Sequence, residues 1–177
     1  MDAKLIEQAT RMLLEGLAEK DREGIADTPQ RVAKSYMEMF ERPEFNMTTF
    51  EANGYDQMIL ERDIQFHTLC EHHILPFFGS VSIGYIPNDK IIGISKLPRM
   101  VEYYSAGLNT QEYFTSNIAR RLWSALQPVG VAVLVKGRHL CQEMRGVKKE
   151  GEMITSEMMG AFRDDGKARE EFLCLVA

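Results

Sequence analysis

The stretch QMILERDIQFHTLCEHHILPFFGSVSIGYIP, Gln57 to Pro87, decides the fold. Before it, apolar residues recur every three to four positions; inside it the period falls to two. Met58, Leu60, Ile64 and Phe66 alternate with polar residues, and Arg62 interrupts them. Such alternation puts every second side chain on one face of a strand. Val81, Ile83 and Tyr85 repeat the pattern in SVSIGYIP. Between the two strands lie Cys70, Glu71, His72 and His73, in a chain with only four histidines and three cysteines.

Toward the N-terminus, Leu5, Ile6, Ala9, Leu13 and Leu17 give residues 3–19 the spacing of an amphipathic helix. Thr28 is the expected N-cap of a second helix, with Pro29 at its first position. Val32, Tyr36 and Phe40 then share one face. ERPEFNMTTFEANGYD breaks the pattern and reads as a connection. Residues 1–56 are therefore expected to be an N-terminal helical layer, and 57–177 the sheet-bearing domain. Toward the C-terminus, PND is a turn and KIIGIS a short strand. KLPRMVEYYSAG reads as a helix with Pro98 near its start and Gly107 at its end. NTQEYFTSNIARRLWSAL is a second helix, GVAVLVKG a buried strand, and REEFLCLVA a last strand. The order predicts an α+β fold with an antiparallel sheet.

Several classes are disfavoured by composition. No apolar run in the 177 residues approaches the ~20 needed to span a membrane. Charges throughout MDAKLIEQATRMLLEGLAEKD argue against a signal peptide. Three scattered cysteines do not form a disulfide framework, so a reduced, cytoplasmic setting is expected. A net charge of −5 argues against nucleic acid as the main partner. An anionic substrate would need a locally basic pocket.

Cys70 and His73 are three apart, which puts both on one side of a tight turn. His139 and Cys141 form a second pair in RHLCQEMRG and would share a face if that segment is extended. Cysteine and histidine are the usual zinc ligands. All four could close a structural site. Alternatively, three could ligate and leave the fourth position to water, with His72 or His139 spare for proton transfer. Spacing alone leaves both arrangements open. His67 reads as a sheet-face histidine, and Cys174 as a core thiol among Phe172, Leu173 and Leu175.

A basic group accompanies the metal-type motifs. SKLPRM offers Ser95, Lys96 and Arg99 at a helix start, where backbone N–H groups favour anions. MRGV adds Arg145. Singly these are ordinary surface charges; together they could cradle phosphates. Asn109 as N-cap with Glu112 three residues on matches a capping box. The other reading of Glu112 is a carboxylate that accepts from a nucleobase edge. Arg120 and Arg121 read as a solvated face.

Taken together, these motifs resemble GTP cyclohydrolase I. The matching stretches are DTPQRVAK, LCEHHILPFFG, GYIP, IIGISKLPRMVE, QE, GVAVLV, RHLCQEMRGV, ITS and EFL, in the family's order and over nearly the whole chain. The resemblance implies the tunnelling fold, an antiparallel sheet with two helices on one face, preceded by N-terminal helices. It also implies a homodecamer of two stacked pentamers, with sites between subunits. Cys70, His73 and Cys141 are implied as ligands of one Zn²⁺ per subunit, with His72 and His139 left for proton transfer. Gln111 and Glu112 are implied to hold the guanine, and Ser95, Lys96, Arg99 and Arg145 the triphosphate. Arg31 and Lys34 would join from a neighbouring subunit. The sequence departs from the family at Ser105, Ala106 and Gly107, where alanine and two arginines are usual. It departs also at Tyr113, Phe114 and Ser82.

The implied reaction is zinc-dependent opening of the imidazole ring of GTP, then rearrangement to 7,8-dihydroneopterin triphosphate with loss of formate. Two other classes compete. One is a non-catalytic, zinc-stabilised protein that binds a purine nucleotide. The other is a related tunnelling-fold enzyme acting on another pterin or deazapurine. Within the metal site, one question stays open: His139 as fourth ligand or as catalytic acid.

Overall fold

The period-two stretch forms the centre of a five-stranded sheet in the computed structural model, which describes residues 1–19 and 22–177. Met1–Glu41 and Arg42–Ala177 are two compact units. In the first, helix α1 spans Ala3–Gly16, a 3₁₀ turn Glu23–Ile25, and helix α2 Thr28–Met39. Asp2 caps α1 by accepting from the Leu5 amide at 3.1 Å. Thr28 is not the cap of α2: it is already helical, and Asp27 precedes it without a side-chain capping bond. Pro29 follows at the first turn, where its missing N–H costs nothing. Leu5, Leu13 and Leu17, the expected apolar face of α1, are at least 60% exposed.

The second unit carries the site. Its strands are β1 (Thr49–Glu51), β2 (Ile59–Cys70), β3 (Pro76–Ile86), β4 (Lys90–Ile92), β5 (Leu108–Asn109), β6 (Gly130–His139) and β7 (Glu152–Gly160). The main sheet runs β5-β2-β3-β6-β7, antiparallel apart from the short β2–β5 pairing. β1 and β4 pair separately, so the connection expected around residue 50 contains a strand. The interruption at Arg62 is a register shift between Glu61 and Ile64, with Asp63 at φ 61°.

Helices α3 (Lys96–Ser105) and α4 (Gln111–Leu126) cover one face of the sheet. Leu97, Met100 and Val101 of α3 and Phe114, Ile118 and Leu122 of α4 meet Phe77, Val81, Ile83, Val133 and Val135. Each of these buried side chains contributes roughly 1.5–3 kcal/mol relative to exposure. Gly107, at φ 91°, ends the α3 segment in a conformation that favours glycine. Phe114, one of the departures from the family pattern, lies fully buried, 4.8 Å from the Phe66 ring.

The C-terminus differs from expectation. REEFLCLVA is not a strand but most of helix α7 (Gly166–Val176), preceded by a short helix α6 (Ala161–Asp164). Asp165 caps α7 by accepting from the Lys167 amide at 2.9 Å, and strong helix formers follow. Phe172 and Val176, four apart, bury against Ala132 and Leu134 on the sheet's second face. Cys174 on the same helix is exposed, so it is not a core thiol. The last strand is instead β7, whose residues pair with β6 from Gly130↔Gly160 to Arg138↔Glu152.

Candidate functional site

β2 ends at Cys70, and the chain reverses through Glu71–His73. The Cys70 amide donates to the Leu75 carbonyl at 2.8 Å, and the Ile74 amide to the Cys70 carbonyl at 2.8 Å. Ile74 closes the reversal at φ 54°, an unfavourable conformation for a β-branched residue. The turn brings His73 Nδ1 to 4.0 Å from Cys70 Sγ, and His72 Nδ1 to 3.7 Å. From the far side, His139 ends β6 and Cys141 sits on helix α5 (Leu140–Glu143). The segment is therefore not extended through Cys141, and His139 and Cys141 do not share a strand face. Arg138 grips Glu143 through two bonds, at 3.0 and 2.7 Å, which ties the end of β6 to α5. This pairing holds the Glu143 carboxyl below the usual range.

Cys70, His73 and Cys141 come together with their ligand atoms within 4.8 Å of one another. Two sulfurs and an imidazole nitrogen suit zinc, whose bonds of about 2.3 Å to sulfur and about 2.0 Å to nitrogen require such proximity. Burial pushes the Cys141 thiol up, and the neighbouring Cys70 sulfur pushes it further. A bound cation reverses that preference by taking the thiolates as ligands. Among the described residues the cluster has these three members; His139 is outside it.

His139 is held by other contacts. Its ring stacks on Phe77, with centroids 4.4 Å apart and planes 6° from parallel. Its Nε2 lies 2.8 Å from Gln111 Oε1. Burial lowers its pKa from the ordinary histidine value, outweighing the opposing carboxylates of Glu112 and Glu143. Gln111 is 1% exposed, and its side chain turns into the protein. Its Nε2 reaches the Val135 and Met153 carbonyls at 3.2 and 2.8 Å, and Thr155 Oγ1 at 3.1 Å.

Asn109 is not the N-cap of α4. Thr110 caps it by accepting from the Tyr113 amide at 3.2 Å. Asn109 is buried instead, donating to Thr68 Oγ1 and to the Tyr104 carbonyl. Glu112 thus falls one position short of a capping box. It is exposed in the first turn of α4, close enough to His139 to act on its charge.

Ser95, Lys96 and Arg99 occupy the first turn of α3, with Ser95 at the cap position making no side-chain capping bond. Arg145 reaches the Cys70–His73–Cys141 cluster: its Nη1 donates to His73 Nε2 at 2.6 Å. Arg31 and Lys34 lie on α2 of the first unit, where Arg31 pairs with Asp27 at 3.3 Å. His67 lies exposed on β2, its ring stacked on Phe78. Phe77, Thr115, Thr155 and Gly137 escaped the sequence reading. Phe77 lies in the same quoted stretch as the Cys70–His73 turn, but its place opposite His139 follows from the β3–β6 register. The others become visible only once β6, β7 and α4 are in place.

Comparisons with known proteins point one way. A family model described as GTP cyclohydrolase I matches residues 6–177. The GTP cyclohydrolase 1 of Sulfurihydrogenibium sp. is 49% identical, over 99% of this chain and 96% of its own length. That of Aquifex aeolicus is 48% identical, over 99% and 97%. That of Bacillus subtilis is 44% identical, over 95% and 92%. Among solved structures, the archaeosine synthase QueF-Like in the apo form overlaps with a TM-score of 0.44 and 20% identity. That overlap covers 56% of this chain and 92% of that one, too loosely to bear on the site.

Proposed function

The chain belongs to the GTP cyclohydrolase I family, and we propose that it opens the imidazole ring of GTP and rearranges the product to 7,8-dihydroneopterin triphosphate, releasing formate. The observation that carries this reading is the convergence of Cys70, His73 and Cys141 from segments far apart in sequence. These residues hold one Zn²⁺ per subunit. When bound, the zinc supplies a hydrolytic nucleophile near neutral pH by lowering the pKa of water.

The remaining roles belong to the protein's own groups. His139 and His72 move protons to and from the purine ring as C8 is attacked and the ring opens. Burial favours a neutral His139, the form that can accept a proton near pH 7. Glu112 accepts from N1–H and the exocyclic amine of guanine; its exposure and freedom from a capping role support this. Adenine offers no such pair of donors. Ser95, Lys96, Arg99 and Arg145 bind the triphosphate, with Arg31 and Lys34 added from a neighbouring subunit. They orient the base over the metal site and offset the phosphate charge.

The protein works as a homo-oligomer, taken as a decamer with sites between subunits. The exposed apolar face of α1 supports association. It acts in the cytoplasm, where free thiols persist. Among the described residues, no helix is long and apolar enough to cross a membrane.

A nucleotide series tests the reading. Zinc-loaded protein is incubated with GTP, ATP or ITP, then oxidised and examined for pterin fluorescence. Fluorescence from GTP alone is the expected result. Equal binding of all three without fluorescence would leave a zinc-stabilised nucleotide-binding protein instead.

A further inference from the structure

We infer that Gln111 is a positioning residue: it fixes His139 in the tautomer that carries its proton on Nε2, leaving Nδ1 with the free lone pair. The argument starts from groups that can only accept. The Thr115 hydroxyl lies 2.7 Å from the Gln111 carbonyl oxygen, which accepts, so Thr115 Oγ1 spends its one proton there. Thr155 Oγ1 lies 2.7 Å from Thr115 Oγ1 and must therefore donate to it. That leaves Thr155 Oγ1 only lone pairs toward Gln111, so it accepts from the Gln111 amide nitrogen at 3.1 Å. The carbonyls of Val135 and Met153 also accept from that nitrogen. Three acceptors around one NH₂ group fix the amide's direction, and Oε1 is left facing His139 Nε2 at 2.8 Å. An amide oxygen cannot donate, so the neutral imidazole holds its proton on Nε2.

The slot for this amide is built into the fold. A Cβ at Gly137, two residues before His139, would collide with Gln111 Oε1. Phe77 fixes the imidazole plane from one side. The Gln111 backbone carbonyl thus starts a proton order that runs through Thr115, Thr155 and the Gln111 amide to the ring, and the Val135 and Met153 carbonyls hold that amide in the same direction. In each proton transfer an N–H bond forms or breaks at Nδ1, while Nε2–H stays bonded to Oε1. Gln111 then acts on the reaction through His139, not through the guanine edge. That consequence rests on the GTP reading; the tautomer does not.

The test is ¹⁵N magic-angle-spinning NMR of histidine-labelled, zinc-loaded protein at one fixed pH, with the His139 signals assigned by their loss in His139→Asn. The wild-type spectrum, which requires no functional variant, should show Nε2 protonated and Nδ1 bare. Gln111→Met keeps the volume and removes the acceptor. It should keep its zinc, shift the His139 signals toward the other tautomer, and lose about tenfold to a hundredfold in kcat with KM little changed. Gly137→Ala, which crowds Oε1 while keeping glutamine at position 111, should shift the same signals. A wild-type His139 protonated on Nδ1 would overturn the inference. So would a Gln111→Met protein with unchanged tautomer, or with raised KM and unchanged kcat, which would assign Gln111 to the base. If the protein releases no formate from GTP, the functional reading fails while the tautomer can still be read.

Discussion

Cys141 sits on a four-residue helix held to the sheet by the Arg138–Glu143 pair, so its sulfur can be changed without unfolding a strand. Cys141→Ser should leave folding intact and weaken zinc binding by at least about 100-fold, read as metal content after dialysis. Retention of one zinc per chain would remove Cys141 from the ligand set. Ile74 presents a different problem, a β-branched residue at φ 54° with a half-exposed side chain. Ile74→Gly should stabilise the protein by about 1 kcal/mol, seen as a rise of a few degrees in Tm. His139 links the site to pH. Its folded pKa lies below the ordinary value of 6.5, so the unfolded chain binds more protons in between. The contribution of His139 to stability is full above about pH 6.5 and is lost as pH drops through the folded pKa. His139→Gln should flatten that dependence in urea midpoints compared across this window. At this scale Cys70, His73 and Cys141 stood out because cysteine and histidine are rare in the chain, although spacing alone did not separate them from His139. Gln111 was not, since its inward role depends on carbonyls of Val135 and Met153, which only the β6–β7 register brings together.

At the scale of elements, the period change at Gln57 was readable because apolar and small or polar residues alternate along the sequence of β2 and β3. The C-terminal helix was not. FLCLVA has the composition of a buried strand, but Phe172 and Val176 bury at helical spacing over Gly84, where a Cβ would stand 2.8 Å from the Phe172 ring. β7 escaped for the opposite reason. As an edge strand rich in methionine, it shows little alternation in burial. Phe172 is fully buried and packs edge-on against Phe162 at 5.8 Å. Phe172→Ala should cost about 3–5 kcal/mol in urea unfolding. Because α7 covers the face of the sheet opposite α3 and α4, the folded variant should still bind zinc. Loss of zinc from folded Phe172→Ala protein would show that α7 supports the site directly.

For the whole molecule, a cluster able to hold a metal, a half-buried histidine and an exposed carboxylate lie at the ends of β2 and β6 and the start of α4. Each part has a structural explanation alone; their conjunction with a family match over residues 6–177 is what points to one reaction. The reaction has a signature no binding protein can imitate, the expulsion of one ring carbon. The most direct measurement is therefore ¹³C NMR of zinc-loaded protein with GTP labelled at C8. The account predicts that the label leaves as formate, one per pterin formed, and that chelation or Cys141→Ser abolishes its release. A label that stays in the purine ring, with the nucleotide bound and the metal in place, would contradict it.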